Sequence, residues 1–183
     1  MSKPENLRGK AAIVGIGQAG TGEMPGHSPL EILALSVKAA LDDCGLKLSD
    51  VDGLFTGSSY HFMPTVSVAE YLGIRPRFSD GSMIGGSSFV AHVLHAAMAL
   101  DAGLCDVALI AYGSNQRTAG GRLISMSEPH PFERHYEPRH PITAYALAAA
   151  RHMHEYGTSR EDLADVAVAA RQWAQLNPEA FAR

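Results

Sequence analysis

The strongest constraint on how this chain can fold is a segment that does not suit a protein surface. Residues 89–100 read FVAHVLHAAMAL, and the helix that this composition predicts carries apolar side chains on nearly every side. A helix without a polar face is expected to be buried all round. Gly103 ends it, and the apolar run VALIAY at residues 107–112 predicts a strand covered on both faces of its sheet.

The segments before this helix alternate between strand and helix patterns. Residues 11–17 (AAIVGIG), 52–57 (DGLFTG) and 77–80 predict strands, and residues 66–72 predict a short helix. Ser28, Pro29 and Glu31 predict a capped start for another helix, which Gly45 ends. The alternation indicates an α/β fold with a mainly parallel sheet and helices on both faces. A helix buried on all sides adds a layer, as when two sheets share one central helical layer.

The composition changes after residue 113, and we divide the chain there. Residues 1–113 are interpreted as the α/β core and residues 114–183 as an excursion with a long loop and two helices. The loop interleaves prolines with His130, His135 and His140. One helix is expected at about 143–156, and a second, capped by Thr158 with Glu161, is expected to run to residue 176.

Charge and cysteine content exclude several classes of protein. The net charge of −4 on 183 residues offers no basic field for nucleic acid or an anionic membrane. No apolar run reaches the roughly 20 residues of a membrane span, and the N-terminus lacks the pattern of a signal peptide. Cys44 and Cys105 lack metal-ligand spacing, so we expect no metal site, reduced buried thiols and a cytoplasmic protein.

The stretch GGSSFVAHVLHAAMALDAGLCDVALIAYGS, residues 85–114, resembles the nucleophile helix and following strand of the thiolase superfamily. Residues 144–163, with their RHM and EYGT motifs, resemble the loop-domain helices of thiolases of the sterol carrier protein type, an acetyl-CoA acetyltransferase-like branch. The resemblance implies the N-terminal half of a thiolase fold, with the C-terminal half missing. It also implies an acyl-CoA thioester as substrate and no further cofactor.

The chain departs from the family at the nucleophile, because the cysteine position falls on Gly86. The helix N-terminus that would activate a thiol and bind an anion is kept, but the thiol itself is absent. Thiolysis through an acyl-cysteine intermediate is therefore not carried over from the resemblance. Members of this branch without the cysteine are associated with retro-aldol cleavage of β-hydroxyacyl-CoA compounds, as in steroid side-chain breakdown. They work with a partner that combines an OB-fold and a zinc ribbon.

These considerations lead to one main functional hypothesis and one alternative. The main hypothesis is an acyl-CoA carbon–carbon bond enzyme of the acyltransferase family, inactive as this chain alone and assembled as a homodimer or larger oligomer. The alternative is a non-catalytic acyl-CoA-binding or scaffold subunit of a heteromeric complex. The catalytic residues stay unknown, and the expected substrate-binding residues are Gly85, Gly86, Ser87, Ser88, His61 and His130.

Three other patterns favour structural interpretations. The spacing of Gly15, Gly17 and Gly20 matches a dinucleotide fingerprint, but the next helix begins too late, so a tight turn is favoured. His92 and His95 could share a metal but are interpreted as core histidines. Ser87 and Ser88 lack the surroundings of a hydrolase nucleophile and are expected to cap the helix.

Overall fold

A computed structural model describes residues 7–118 and 130–183, which belong to two compact units, Met1–Arg122 and Leu123–Arg183. The elements of the first unit are α1 (Pro29–Cys44), β1 (Gly53–Thr56), α2 (Pro64–Leu72), β2 (Phe78–Asp80), α3 (Ser88–Asp101) and β3 (Ala108–Ala111). The second unit contains α4 (Ile142–Tyr156) and α5 (Arg160–Gln175). The functional division that we placed at residue 114 stays a prediction.

The three strands form one parallel sheet in the order β2-β1-β3, with Gly53 opposite both Phe78 and Ala108. All four residues of the central strand are buried. Because side chains alternate along a strand, Leu54 and Phe55 serve two different cores. Leu54 packs in a cluster with residues of α1 and α2, whereas Phe55 packs with Ala96 and Ala99 of α3. Helices therefore cover both faces, and the predicted α/β class is confirmed.

The predicted start of α1 is confirmed in detail. The Ser28 hydroxyl accepts from the backbone N–H of Glu31 at 3.3 Å, and the Glu31 carboxylate accepts from the N–H of Ser28 at 2.6 Å. The helix ends where Gly45 adopts a φ of 71°.

The prediction for the start of α5 is wrong by one residue. Ser159, not Thr158, occupies the cap, and its partner is Asp162 rather than Glu161. The Thr158 hydroxyl instead forms a 3.0 Å hydrogen bond with Nδ1 of His152. The Thr158 hydroxyl is thus bonded to His152 of α4, and the next residue, Ser159, caps α5.

The prediction of a buried strand at residues 11–17 is also wrong. This segment belongs to no strand of the structure, and Ile13 and Ile16 are each 75% exposed. It runs beside α1, where the N–H of Ile16 donates to Asp43 and the N–H of Ala19 donates to Ser36. An open cleft of about 820 Å³ is lined by residues 11–19 and by residues 107–112 around β3. The cleft separates the segment from the outer edge of β3, so the segment does not form a ladder with that strand.

Helix α3 is not buried on all sides, contrary to expectation. Its buried residues are Ser88, His92, Ala96 and Ala99, which face the sheet. On the opposite side Val90 is 76% exposed and Leu94 is 53% exposed. Within residues 7–118 and 130–183 there is a single sheet, so no second sheet covers that outer face.

Over the same residues, no helix is both long and apolar enough to cross a bilayer.

Candidate active site at the start of α3

The candidate site lies where the carboxyl ends of β1 and β2 meet the beginning of α3. Ligands of open parallel sheets bind outside the carboxyl ends of the strands. Gly57, which follows β1, allows close approach here, because a β-carbon at this residue would overlap the carbonyl oxygen of Ser82. The loop at 81–84 and the short 3₁₀ turn Gly85–Ser87 then lead into α3.

Gly86 is exposed in this turn, directly before α3. A β-carbon built on Gly86 would meet no atom within 4 Å, and the backbone there does not have the positive φ that favours glycine. The fold would therefore accept a cysteine side chain at residue 86. Neither the available space nor the backbone conformation requires a glycine at residue 86, so the lack of a thiol there concerns the chemistry of the site.

The prediction that Ser87 or Ser88 caps α3 is confirmed for the position of Ser87 but not for a capping hydrogen bond. Ser87 takes the N-cap position, but its side chain makes no capping hydrogen bond. Ser88 is buried and stabilises the preceding turn, since its hydroxyl accepts from Ile84 N–H at 3.0 Å and donates to the Gly85 carbonyl at 2.8 Å. No described side chain therefore caps the first-turn N–H groups of α3. A ligand oxygen placed there would also lie in the partial positive field of the helix end.

Beside this turn lies a second feature, which we call the polar recess. It is open, has a volume of about 270 Å³, and is lined by Thr56, Gly57, Pro64, Thr65, Ser79, Asp80, Gly81, Ser82 and Met83. Asp80 accepts a 2.7 Å hydrogen bond from Nδ1 of His95, and both side chains are partly exposed. The Ser82 hydroxyl lies 2.9 Å from Nε2 of His92.

His92 itself is fully buried between aromatic rings. Its ring centroid lies 6.4 Å from that of Phe55 and 5.7 Å from that of Phe89, the latter edge-on. Burial lowers the pKa of His92, and proximity to His95 adds to the effect while Asp80 opposes it. The neutral form of the imidazole is therefore favoured. The interpretation as a core histidine is confirmed for His92, whereas His95 keeps about 40% of its side chain exposed.

Sequence reasoning missed Asp80 and Ser82. The signal that could have found them is the polar stretch Asp80-Gly81-Ser82, which directly follows the brief strand at 77–80. Polar residues at the carboxyl end of a parallel strand are candidates for ligand contact.

The remaining expected residues lie elsewhere. His61 follows β1 and stands beside Tyr60, at 6.3 Å between ring centroids, but it is not among the residues that line the polar recess. In the second unit, exposed His130 stacks on Phe132, and His140 contacts Glu133 at 3.3 Å. Part of the predicted loop, residues 119–129, lies outside the described residues. The substrate contacts predicted for His61 and His130 stay predictions.

Both cysteines are free thiols. Cys105 is buried, and burial raises the pKa of its thiol. Cys44 is half-buried and donates to the Ala40 carbonyl at 3.2 Å. Neither lies at the start of α3. Across the part of the chain that the structure describes, no group of three or more potential ligand side chains is placed to hold a metal ion.

Comparison with known proteins finds curated relatives along nearly the whole chain. No family model matches the chain. It is 34% identical over 96% of its length to the 17-hydroxy-3-oxo-4-pregnene-20-carboxyl-CoA lyase of Mycobacterium tuberculosis, covering 48% of that protein. It is 33% identical over 96% of its length to a steroid side-chain-cleaving aldolase of Thermomonospora curvata, covering 47% of that protein. An acetyl-CoA acetyltransferase of Methanothermobacter thermautotrophicus is 28% identical over 92% of the chain, which covers 46% of it.

A solved structure extends the likeness to three dimensions. The Ltp2-ChsH2(DUF35) aldolase superposes with a TM-score of 0.76 at 32% identity, over 93% of this chain and 44% of that one. These relatives support the thiolase superfamily. The chain spans about half the length of the curated relatives it matches. The names of the two most similar of these relatives are those of a lyase and an aldolase rather than a thiolase of the sterol carrier protein type.

Proposed function

We propose that this protein is a cysteine-free, thiolase-like aldolase that cleaves a carbon–carbon bond of a β-hydroxyacyl-CoA, with steroid side chains as the substrate class. One observation carries the proposal: residue 86, at the start of α3, is a glycine in a place with room for a cysteine. The similarity of the chain to a lyase and to an aldolase, at 34% and 33% identity, supports the same reaction class.

A retro-aldol reaction explains why no thiol is needed at this place. A general base removes the proton of the β-hydroxyl group, and the electron pair left on oxygen forms a new carbonyl as the bond between the α- and β-carbons breaks. The electrons of that bond move into the thioester as an enolate. A proton then returns to the α-carbon, so the products are a free aldehyde or ketone and a shortened acyl-CoA. The acyl group never leaves sulfur, and no acyl-enzyme forms.

The described residues can be assigned roles in this scheme. Gly85, Gly86 and Ser87 would line the thioester site, where the partial positive end of α3 would stabilise the enolate oxygen. Asp80, which lines the recess, and His95, which is bonded to it at 2.7 Å, form the candidate proton acceptor. Ser88 would act indirectly by fixing the turn, and His61 and His130 are proposed substrate contacts. The acyl-CoA is the substrate, and no further cofactor is invoked.

We also propose that the active form is an assembly. The outer face of α3 exposes apolar side chains, and among the described residues β3 has a strand neighbour on one side only, so a further polypeptide would cover both surfaces. The name of the similar solved structure, Ltp2-ChsH2(DUF35) aldolase, joins two components, which supports a second protein. A homodimer or larger oligomer and an OB-fold and zinc-ribbon partner complete the proposal. The free, buried thiol of Cys105 is compatible with a cytoplasmic setting.

The test uses the complete polypeptide, with and without its partner, and a β-hydroxyacyl-CoA. We expect equal amounts of a free carbonyl compound and a shortened acyl-CoA, measured by chromatography, and no loss of rate after treatment with iodoacetamide. Binding of the thioester without any turnover would favour the scaffold function instead. Complete inactivation by alkylation would point to thiol chemistry and overturn the proposal.

A further inference from the structure

The pair Ser82 and His92 has no role in the scheme above, although it joins the polar recess to a fully buried imidazole. We propose that neutral His92 holds the Ser82 hydroxyl as a hydrogen-bond donor for an uncharged oxygen, a hydroxyl or a carbonyl, on the acyl part of the ligand. Ser82 would then be a binding residue, and His92 a positioning residue that acts through it. The identity of the ligand as an acyl-CoA rests on the proposed function, whereas the donor arrangement does not.

The tautomer of His92 follows from its buried, unpartnered nitrogen. Nδ1 of His92 is buried and has no hydrogen-bond partner among the described residues. An orphaned N–H costs more than an orphaned lone pair, and orphaned buried N–H groups are correspondingly rare. The proton of the neutral ring is therefore expected on Nε2, so that Nε2–H donates to the Ser82 hydroxyl oxygen across 2.9 Å.

This assignment determines what Ser82 can offer. A serine hydroxyl has one hydrogen and two lone pairs. If one lone pair accepts from His92, the hydrogen stays free for another acceptor. Donation from the imidazole also polarises the hydroxyl, which makes it a somewhat stronger donor.

The groups that face His92 favour the neutral ring. Phe55 of β1 and Phe89 of α3 surround it with apolar surface, and His95 lies one helical turn away, at 6.2 Å between ring centroids. Asp80 of β2 is the charged group nearby, and its carboxylate is bonded to His95. The carboxylate that could have stabilised a charged His92 is thus already used by its neighbour.

The lining of the polar recess indicates which ligand group fits. Thr56, Thr65, Ser79 and Ser82 bear hydroxyls and Asp80 bears a carboxylate, while neither lysine nor arginine is among the described lining residues. The recess therefore disfavours the phosphates of coenzyme A. It suits a ligand hydroxyl, which can donate to Asp80 and accept from Ser82.

The donor arrangement is tested by NMR on the complete protein with ¹⁵N-labelled histidine. The ring signals of His92 are assigned by their absence in His92→Gln. We expect a neutral ring with the proton on Nε2 at pH 6, where a solvent-exposed histidine is largely protonated. A charged ring, or a proton on Nδ1, at that pH would overturn the arrangement.

The ligand class is tested by calorimetric binding of three probes: 3-hydroxybutyryl-CoA, butyryl-CoA and coenzyme A. We expect Ser82→Ala to weaken binding of 3-hydroxybutyryl-CoA about 2- to 10-fold, the usual effect of one lost hydrogen bond, with little change for the other two. His92→Leu should have the same effect, and His92→Gln, which keeps an N–H donor, should restore part of the affinity. Ser67→Ala is the matched control, because Ser67 of α2 does not line the recess and its hydroxyl donates to the Phe62 carbonyl.

The outcomes separate this inference from the proposed function. Equal losses for all three probes, or no loss for any, would overturn the assignment of Ser82 to the acyl hydroxyl. If the wild-type protein bound no acyl-CoA at all, the proposed function and the ligand class would both fail. The NMR result would in that case still decide whether the donor arrangement exists.

Discussion

Gly17 lies directly against Ala40 of α1, so closely that a β-carbon at residue 17 would overlap the backbone nitrogen of Ala40. Gly15 approaches the same helix, where a β-carbon would stand 2.9 Å from Sγ of Cys44. The segment of residues 11–19 is thus held by backbone-to-helix contact, with hydrogen bonds to Asp43 and Ser36. Gly15 and Gly17, which belong to the suggested dinucleotide fingerprint, serve this packing, whereas Gly20 adopts a φ of 68° and lies beside Met24.

The first prediction follows from that contact. Gly17→Ala should lower the free energy of unfolding by about 1–3 kcal/mol, because the added methyl meets backbone atoms that no rotamer change can move. Urea denaturation of the complete protein measures it. Gly86→Ala is the control, since a β-carbon there meets nothing within 4 Å. Equal denaturation midpoints for the two variants would contradict the packing described for residue 17.

Gly86→Cys tests whether the start of α3 still has the character of a thiolate site. We expect the variant to fold with unchanged stability and its new thiol to react with iodoacetamide faster than an unfolded reference, because the helix end lowers a thiol pKa. Cys105 should stay unreactive in the folded protein, since it is buried and its pKa is raised. Mass spectrometry of peptides gives both rates. Slow labelling at residue 86 would argue against an anion-binding helix end.

The buried imidazole of His92 makes stability depend on pH. Its pKa in the folded protein lies below the ordinary 6.5, chiefly because burial disfavours the charged ring. The unfolded chain therefore binds more protons in this range, and stability should fall as pH drops below about 6.5 toward the folded value. Thermal unfolding between pH 7.5 and pH 5 would show this slope. His92→Gln should flatten it, and an unchanged slope in that variant would assign the effect to other groups.

Asp52 joins the strands at their amino ends. Its carboxylate accepts from the N–H groups of Asp106 and Val107, both at 2.8 Å, and from Arg77 at 3.0 Å. Burial alone would raise the pKa of Asp52, but these donors outweigh it and the pKa lies below its usual range. The stabilisation is therefore present above the ordinary value of 3.8 and is lost as pH falls through the folded value.

Asp52→Ala should consequently cost about 1–3 kcal/mol at neutral pH, because two N–H groups lose their acceptor. Asp42→Ala is the matched control, since that carboxylate is exposed and pairs with Lys38 within α1, so a change below about 0.5 kcal/mol is expected. Chemical denaturation at pH 7 compares the two. Similar costs for both variants would show that Asp52 does not join the strands.

Local signals in the sequence were enough to predict the positions of several helices and strands. The capping residues Ser28 and Glu31 and the apolar run at 107–112 are read within a few residues, and α1 and β3 lie where these signals indicate. Gly86 was singled out through the resemblance to the thiolase superfamily, and it lies ahead of α3 in the structure. Caps, glycine stops and periodicity act through neighbouring residues, so the sequence alone reports them.

The tertiary structure decided what depends on distant partners. Residues 11–17 have the composition of a buried strand, yet a strand needs a ladder neighbour, and here the segment meets α1 instead. The largely apolar α3 keeps an exposed face because burial requires a covering layer, and the composition of one helix does not provide that layer. Ser82 meets His92, and Asp80 meets His95, only because β2 and α3 are docked side by side. Such contacts arise from packing, and no local pattern encodes them.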